Sequence, residues 1–212
     1  MKKQCFAQLI PFCALWLVLL QACQNKPATV NNGSVKPYPK AAAASPYTAV
    51  NNWIDDFRNF RTAVYQADID KQKTYFNFPV NADTTQIWDL VYNDDANDRP
   101  QNLPGTFTDK DFLKHRSAIF PSAFIKSLLK VKSEKITQKD GYTTPQIKDG
   151  KDVFFMVAYY DKAGATLQLT LSFSGGTDPD GNYVSEGEYA IIYFFKISDN
   201  KYLKFDKVLF AG

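Results

Sequence analysis

The stretch that most constrains the fold is Thr166 to Ser174, which alternates without a break. Leu167, Leu169, Leu171 and Phe173 fall on one side, and Thr166, Gln168, Thr170 and Ser172 on the other. A strand patterned this way has one face to bury and one that tolerates water. Neighbouring segments read the same way. Asp152 to Tyr160 (DVFFMVAYY) is apolar on both faces, which predicts a central strand. Asp161-Lys162-Ala163-Gly164 turns the chain between these two. Glu188 to Ile197 and Tyr202 to Phe210 follow as strands, joined by a turn at Asp199-Asn200. Val131 to Gln138 and Thr143 to Ile147 are weaker strand candidates. The expectation is an antiparallel meander of at least three long strands.

Such a meander needs a cover for its apolar face, and Trp53 to Val80 supplies one. Trp53, Phe57, Phe60 and Val64 recur at helical spacing and form a largely aromatic stripe. Asn51 or Asn52 can cap this helix, and Asp55 and Asp56 lie in its first turn, where the helix dipole favours acids. Asp68 or Asp70 can cap a second short helix running through Tyr75 or Phe76, ended by Pro79. Ile87, Trp88, Leu90 and Val91 predict a short pinned element. Thr108 with Asp111 reads as a capping box before Phe112, Leu113, Arg116, Ile119 and Phe120. Pro121 suits the first turn of a further helix that buries Phe124, Ile125, Leu128 and Leu129. Helices from the N-terminal half over a C-terminal meander make the fold class α+β, one domain over residues 52–212.

The helix, short helix ending in Phe-Pro, capped helix and curved meander resemble the nuclear transport factor 2-like (cystatin-like) superfamily. The residues that carry the resemblance are Phe57, Phe60-Arg61, Ala63-Val64, Asp68 and Phe78-Pro79-Val80, then Phe112, Ile119-Phe120 and Leu128. It implies a cone-like space between helices and sheet. It implies no single activity, since the fold hosts isomerases, dehydratases, cyclases, binding modules and adaptors.

Residues 1–22 read as an export signal: Lys2 and Lys3, then the apolar run Leu9 to Leu20, too short to span a bilayer. Leu20-Gln21-Ala22-Cys23 resembles the bacterial lipobox, with Gln21 its one departure. The resemblance implies a lipoprotein signal peptide and acylation of Cys23, with more than one fatty chain for stable anchorage. Gln24, and not Asp, follows the cysteine. That points to the periplasmic face of the outer membrane of a bacterial cell envelope. Residues 24–51, with Pro27, Pro37, Pro39 and Pro46 and few large apolar groups, predict a flexible tether of about 30 Å.

Charge and cysteine usage narrow the chemistry. The 212-residue chain carries a formal +3, but five lysines precede residue 53; from there on 20 basic residues face 22 acidic ones. No basic stripe marks a nucleic-acid partner. The three cysteines, Cys5, Cys13 and Cys23, all lie outside the folded part, which leaves it no disulfide, thiolate nucleophile or cysteine metal site. No cofactor is expected. Asp94, Asp95 and Asp98 in the exposed stretch 93–105, and Asp178-Pro179-Asp180-Gly181-Asn182, have the residue types of a cation site but not its ligand count or spacing; both read as loops. The single histidine, His115, sits on a helix between Lys114 and Arg116 and reads as solvated. Asp152, Glu188 and Asp206 lack the flanks of a buried base, and no catalytic site is assigned. Of the aromatic residues on the helix and strands, Trp53, Phe57, Tyr159 and Tyr193 are the candidate pocket, suited to a small apolar or amphipathic ligand. The expected function is a lipid-anchored periplasmic binding or interaction module, with a small-molecule enzyme of isomerase or hydrolase type in the cone as the alternative.

Overall fold

The computed structural model describes residues 49–212 apart from 94–95, 140, 178–179, 181 and 186. The signal segment, Cys23 and all but the last residues of the tether lie outside the described residues, as do Asp94, Asp95, Asp178, Pro179 and Gly181.

Helix α1 spans Trp53–Tyr65, and Asn52 caps it, accepting from the amides of Ile54 and Asp55 at 3.0 and 3.1 Å. Its stripe is buried as the spacing requires: Trp53, Phe57, Phe60 and Val64 all face the core. Asp68 caps α2, Ile69–Thr74, which stops just short of Tyr75. The Phe78–Pro79 peptide bond that follows is cis. Strand β1 (Val80–Asn81) leads to α3 (Ile87–Val91), pinned by buried Ile87, Trp88 and Leu90. β2 (Thr106–Phe107) pairs with β1, and α4 (Asp109–Ile119) starts at the predicted capping box. There the Asp111 amide donates to Thr108 Oγ1, and the Thr108 amide donates back to the Asp111 carboxylate at 2.8 Å. α5 spans Ser122–Leu128.

The remaining strands are β3 (Tyr142–Thr143), β4 (Ile147–Asp149), β5 (Asp152–Asp161), β6 (Thr166–Phe173), β7 (Gly176–Thr177), β8 (Tyr183–Val184), β9 (Tyr189–Ser198) and β10 (Tyr202–Ala211). The main sheet runs β10-β9-β6-β5, with the short β3 and β4 one after the other along the far edge of β5, and every pairing is antiparallel. The sheet is curved and unclosed, and the class is α+β as expected. β7 and β8 pair on either side of the 178–182 stretch read as a loop. Asp199 and Asn200 both take positive φ, 53° and 54°, the geometry of the tight turns that suit the twist of paired strands. Between Phe205 and Lys207 the register of β10 shifts at a bulge, so that both Phe205 and Val208 reach the core.

One strand expectation is corrected and two are refined. Residues 131–138 form a single 3-10 turn at Ser133–Lys135, not a strand. Local bonds absorb its amides, Lys135 to Lys132 O and Gln138 to Lys135 O, while Val131 and Ile136 plug the core. Strand β5 is interior to the sheet as expected, with β6 on one side and β3 and β4 on the other, but only one of its faces is buried. Its Phe154, Met156 and Ala158 are buried, whereas Val153, Phe155 and Val157 are half-buried and Tyr159 is exposed. The weaker candidate at 143–147 splits into β3 and β4 around Pro145, which has no amide to give a ladder.

Although the sheet is unclosed, the free edge of β10 is not open. The Leu203 amide donates to Asp56 Oδ2 (2.7 Å) and the Phe205 amide to Tyr75 O (2.7 Å). The Val208 amide donates to Thr85 Oγ1 (2.8 Å) and the Phe210 amide to Gln86 Oε1 (2.6 Å). Groups from the N-terminal half thus occupy the positions a further strand would need, the usual guard against edge-to-edge pairing. Among the described residues no helix is long and apolar enough to cross a membrane.

Candidate binding surface

The space between helices and sheet is filled by rings. Phe60 packs edge-on against Tyr75, Phe120 and Phe195, with centroids 5.0, 5.8 and 5.0 Å away. Phe76 meets Phe112 and Phe205 at 4.9 and 4.8 Å. Aromatic pairs at these distances add to the burial of their area. Phe57 and Tyr193 belong to this filling and have no exposed surface. Tyr193 lies 4.5 Å from Phe124 and donates its hydroxyl to Ile119 O at 3.0 Å, which satisfies a carbonyl at the end of α4. Burial pushes its phenol far above the ordinary range. Trp53 packs against Tyr160 at the edge of the core, the two rings tilted with centroids 4.6 Å apart. The four residues expected to share a pocket therefore do not meet around one. Trp53, Phe57 and Tyr193 pack the interior, and Tyr159 stands on the opposite face of the sheet, 40% exposed.

Chemistry inside the cone would require an acid beside a tyrosine or beside His115 in an open pocket. Asp56 and Tyr75 satisfy the distance, since the Tyr75 hydroxyl donates to Asp56 Oδ1 at 3.3 Å. Both are enclosed, at 1% and 4% exposure, and the second carboxylate oxygen holds the Leu203 amide. Asp56, expected only to complement the dipole of α1, is thus a buried clasp between the first helix and the last strand. His115 is not simply solvated. It is half-buried, with Trp88 and Tyr92 edge-on at 6.2 and 5.8 Å. Burial and then the neighbouring Lys114 lower its pKa, with Asp111 opposing. Arg58 pairs with Asp55 and donates to Ser133 Oγ, and Arg61 donates to Val131 O, so both tie α1 to the 131–135 turn. Asp152 and Glu188 are exposed at strand ends. Among the described residues no group of three or more His, Cys, Asp or Glu could hold a metal ion. Asp98 is exposed, on a 3-10 turn.

Open concavities lie elsewhere. A cleft of about 280 Å³ at one end of the helix–sheet sandwich is lined by Leu90, Asn93, Pro121, Asp152, Phe173 and Tyr189. A wider groove of about 510 Å³ lies on the outer face of the sheet, between Tyr159, Gln168, Phe194, Lys196, Asp206 and Lys207. The ladder builds this groove directly. Tyr159 pairs with Gln168, Gln168 with Phe194, and Phe194 with Lys207, so four strands place one residue each in a single row. The next row starts Asp161, Thr166, Lys196. The bulge adds Asp206 to the same face. Lys207 lies over the Phe194 ring, 5.3 Å from its centroid. The Tyr159 hydroxyl, the Lys196 ammonium and the Asp206 carboxylate have no hydrogen-bond partner among the described residues, so polar groups and rings face solvent together. Such a surface can bind and orient a ligand; it holds no nucleophile with an adjacent base. Sequence reasoning found Tyr159 but not the rest. The outward Gln168 was legible from the alternation, but its partners depend on register across three strands.

Compared with protein-family models, with curated proteins and with solved structures, the chain gives no significant match to any.

Proposed function

We propose that this chain is a lipid-anchored binding or interaction module of the bacterial envelope, with a nuclear transport factor 2-like arrangement of helices on a curved sheet. Cys23 carries the membrane anchor, the domain faces the periplasm from the outer membrane, and the partner is a protein or a small ligand, not nucleic acid. One observation carries the binding reading: the interior is closed by aromatic side chains, while polar groups with no hydrogen-bond partner among the described residues gather around rings on the outer sheet face. A protein that acts by holding something at its surface needs no open cavity. The guarded edge of β10 is closed to strand addition, which favours the sheet face for contact.

The test is recovery of the anchored protein from its native envelope, beside a Cys23→Ala form. The wild type is expected to take up a labelled fatty acid and to retain a partner or ligand; the variant loses the label and leaves the membrane fraction. A wild type that takes up no label overturns the anchor. A wild type that retains nothing, together with turnover of a small molecule, overturns the binding role.

A further inference from the structure

We propose that the groove on the outer sheet face binds a neutral oligosaccharide, an inference that rests on the binding-module reading and names its ligand class. Sugar rings present two kinds of surface at once. Their C–H faces lie flat on aromatic rings, and their hydroxyls both donate and accept hydrogen bonds. The groove offers matching groups. The Tyr159 ring stands open at one side, and Phe194 under Lys207 forms the opposite wall. Gln168 lies between them in the same row, with its amide nitrogen donating to Thr170 Oγ1 and its carbonyl oxygen left to accept. Lys196 supplies donors and Asp206 supplies acceptors, and neither has a hydrogen-bond partner among the described residues. Tyr159 and Phe194 are two strands apart, roughly 9–10 Å, a span that suits two consecutive units of an extended chain.

Other occupants fit less well. Two lysines, Lys196 and Lys207, share the groove with two carboxylates, Asp161 and Asp206, so neither an anion nor a cation meets a field of one sign. A dry apolar partner, including the same face of a second copy, would bury the Asp206 carboxylate and the Lys196 ammonium without their water. Hydroxyls replace that water directly.

The experiment titrates the full-length protein, held in a sugar-free zwitterionic detergent, with cellohexaose and with chitohexaose. Binding is followed by amide NMR. The expected result is low-millimolar or tighter binding of at least one, with shifts centred on the amides of Tyr159, Gln168, Phe194 and Lys207. Tyr159→Ala, at an exposed site where folding is not at stake, weakens binding about tenfold, the loss of one stacked ring. Tyr65→Ala, at a 63% exposed position on α1, leaves it unchanged. No response to either hexasaccharide overturns the proposal. So do shifts confined to another part of the surface, or a self-association through this face that Tyr159→Ala abolishes. Retention of an envelope partner without any saccharide response would sink the ligand class and spare the module reading. Saccharide binding by a protein that takes no fatty-acid label would do the reverse for the anchor.

Discussion

Replacing Asp56 by alanine tests how the two halves of the chain are joined. The carboxylate is 1% exposed and accepts from the Leu203 amide at 2.7 Å and from the Tyr75 hydroxyl at 3.3 Å. Leu203 is itself fully buried, so its amide has no water to turn to. A buried donor left without an acceptor costs ~1–3 kcal/mol, and the bond lost is one to a charged group. The Tyr75 hydroxyl keeps a contact with the Asp56 carbonyl at 3.3 Å and adds less. Losing an acid near the start of α1 costs ~0.3–1 kcal/mol more, and alanine's higher helix propensity offsets a similar amount. The net expectation is ~2–3 kcal/mol, or roughly 5–10 °C in the thermal midpoint of a domain this size. Asp56→Asn keeps an oxygen for the Leu203 amide and should cost ~1 kcal/mol. Urea unfolding followed by tryptophan fluorescence measures both, and hydrogen exchange localises the effect: the Leu203 amide should lose protection in the alanine variant and keep it in the asparagine one. A loss under ~0.5 kcal/mol for Asp56→Ala, or equal losses for the two variants, would refute the clasp.

Three further outcomes follow from the same packing. Tyr193→Phe should cost ~1–2 kcal/mol at neutral pH, because Ile119 O loses its buried donor. The fold holds the Tyr193 phenol neutral far above its ordinary range, so its contribution is intact below about pH 10 and is lost as pH climbs toward the raised value; the phenylalanine variant should show a shallower alkaline decline in urea unfolding. Ser127 is fully buried and its hydroxyl has no hydrogen-bond partner among the described residues, so Ser127→Ala should leave stability unchanged or raise it by ~1 kcal/mol in the same assay. His115 should titrate below the ordinary imidazole value by NMR, with Lys114→Ala moving it part of the way back; since the fold prefers the neutral ring, its contribution holds above the ordinary value and fades as pH falls through the lowered one.

The elements that were legible in the sequence are those whose pattern is local. The stripe of α1, the capping box at Thr108 and the alternation of β6 each declare themselves within one or two turns of chain, and each stands where it was expected. What was not legible depends on neighbours distant in sequence. DVFFMVAYY carries the composition of a central strand. Its odd-numbered residues face outward because successive side chains alternate across the pleat and the helices cover only the other face, and nothing within the segment encodes that one face stays uncovered. That outward face is also why Tyr159 left the expected pocket and joined Gln168 and Phe194 instead. Asp56 was hidden for a related reason. An acid in a first helical turn has a sufficient local explanation in the helix dipole, and that explanation masks a second partner 147 residues away. The unclosed sheet makes this partner intelligible. Four amides of β10 need acceptors that no further strand provides, and the chain meets the need with Asp56, Tyr75, Thr85 and Gln86, all from the segment before α4. The same residues that seal the edge draw α1 and the segment before α3 against the sheet. Closing the interior and guarding the edge are therefore one structural act, and they leave the outer face as the broad surface on which this fold can meet a ligand.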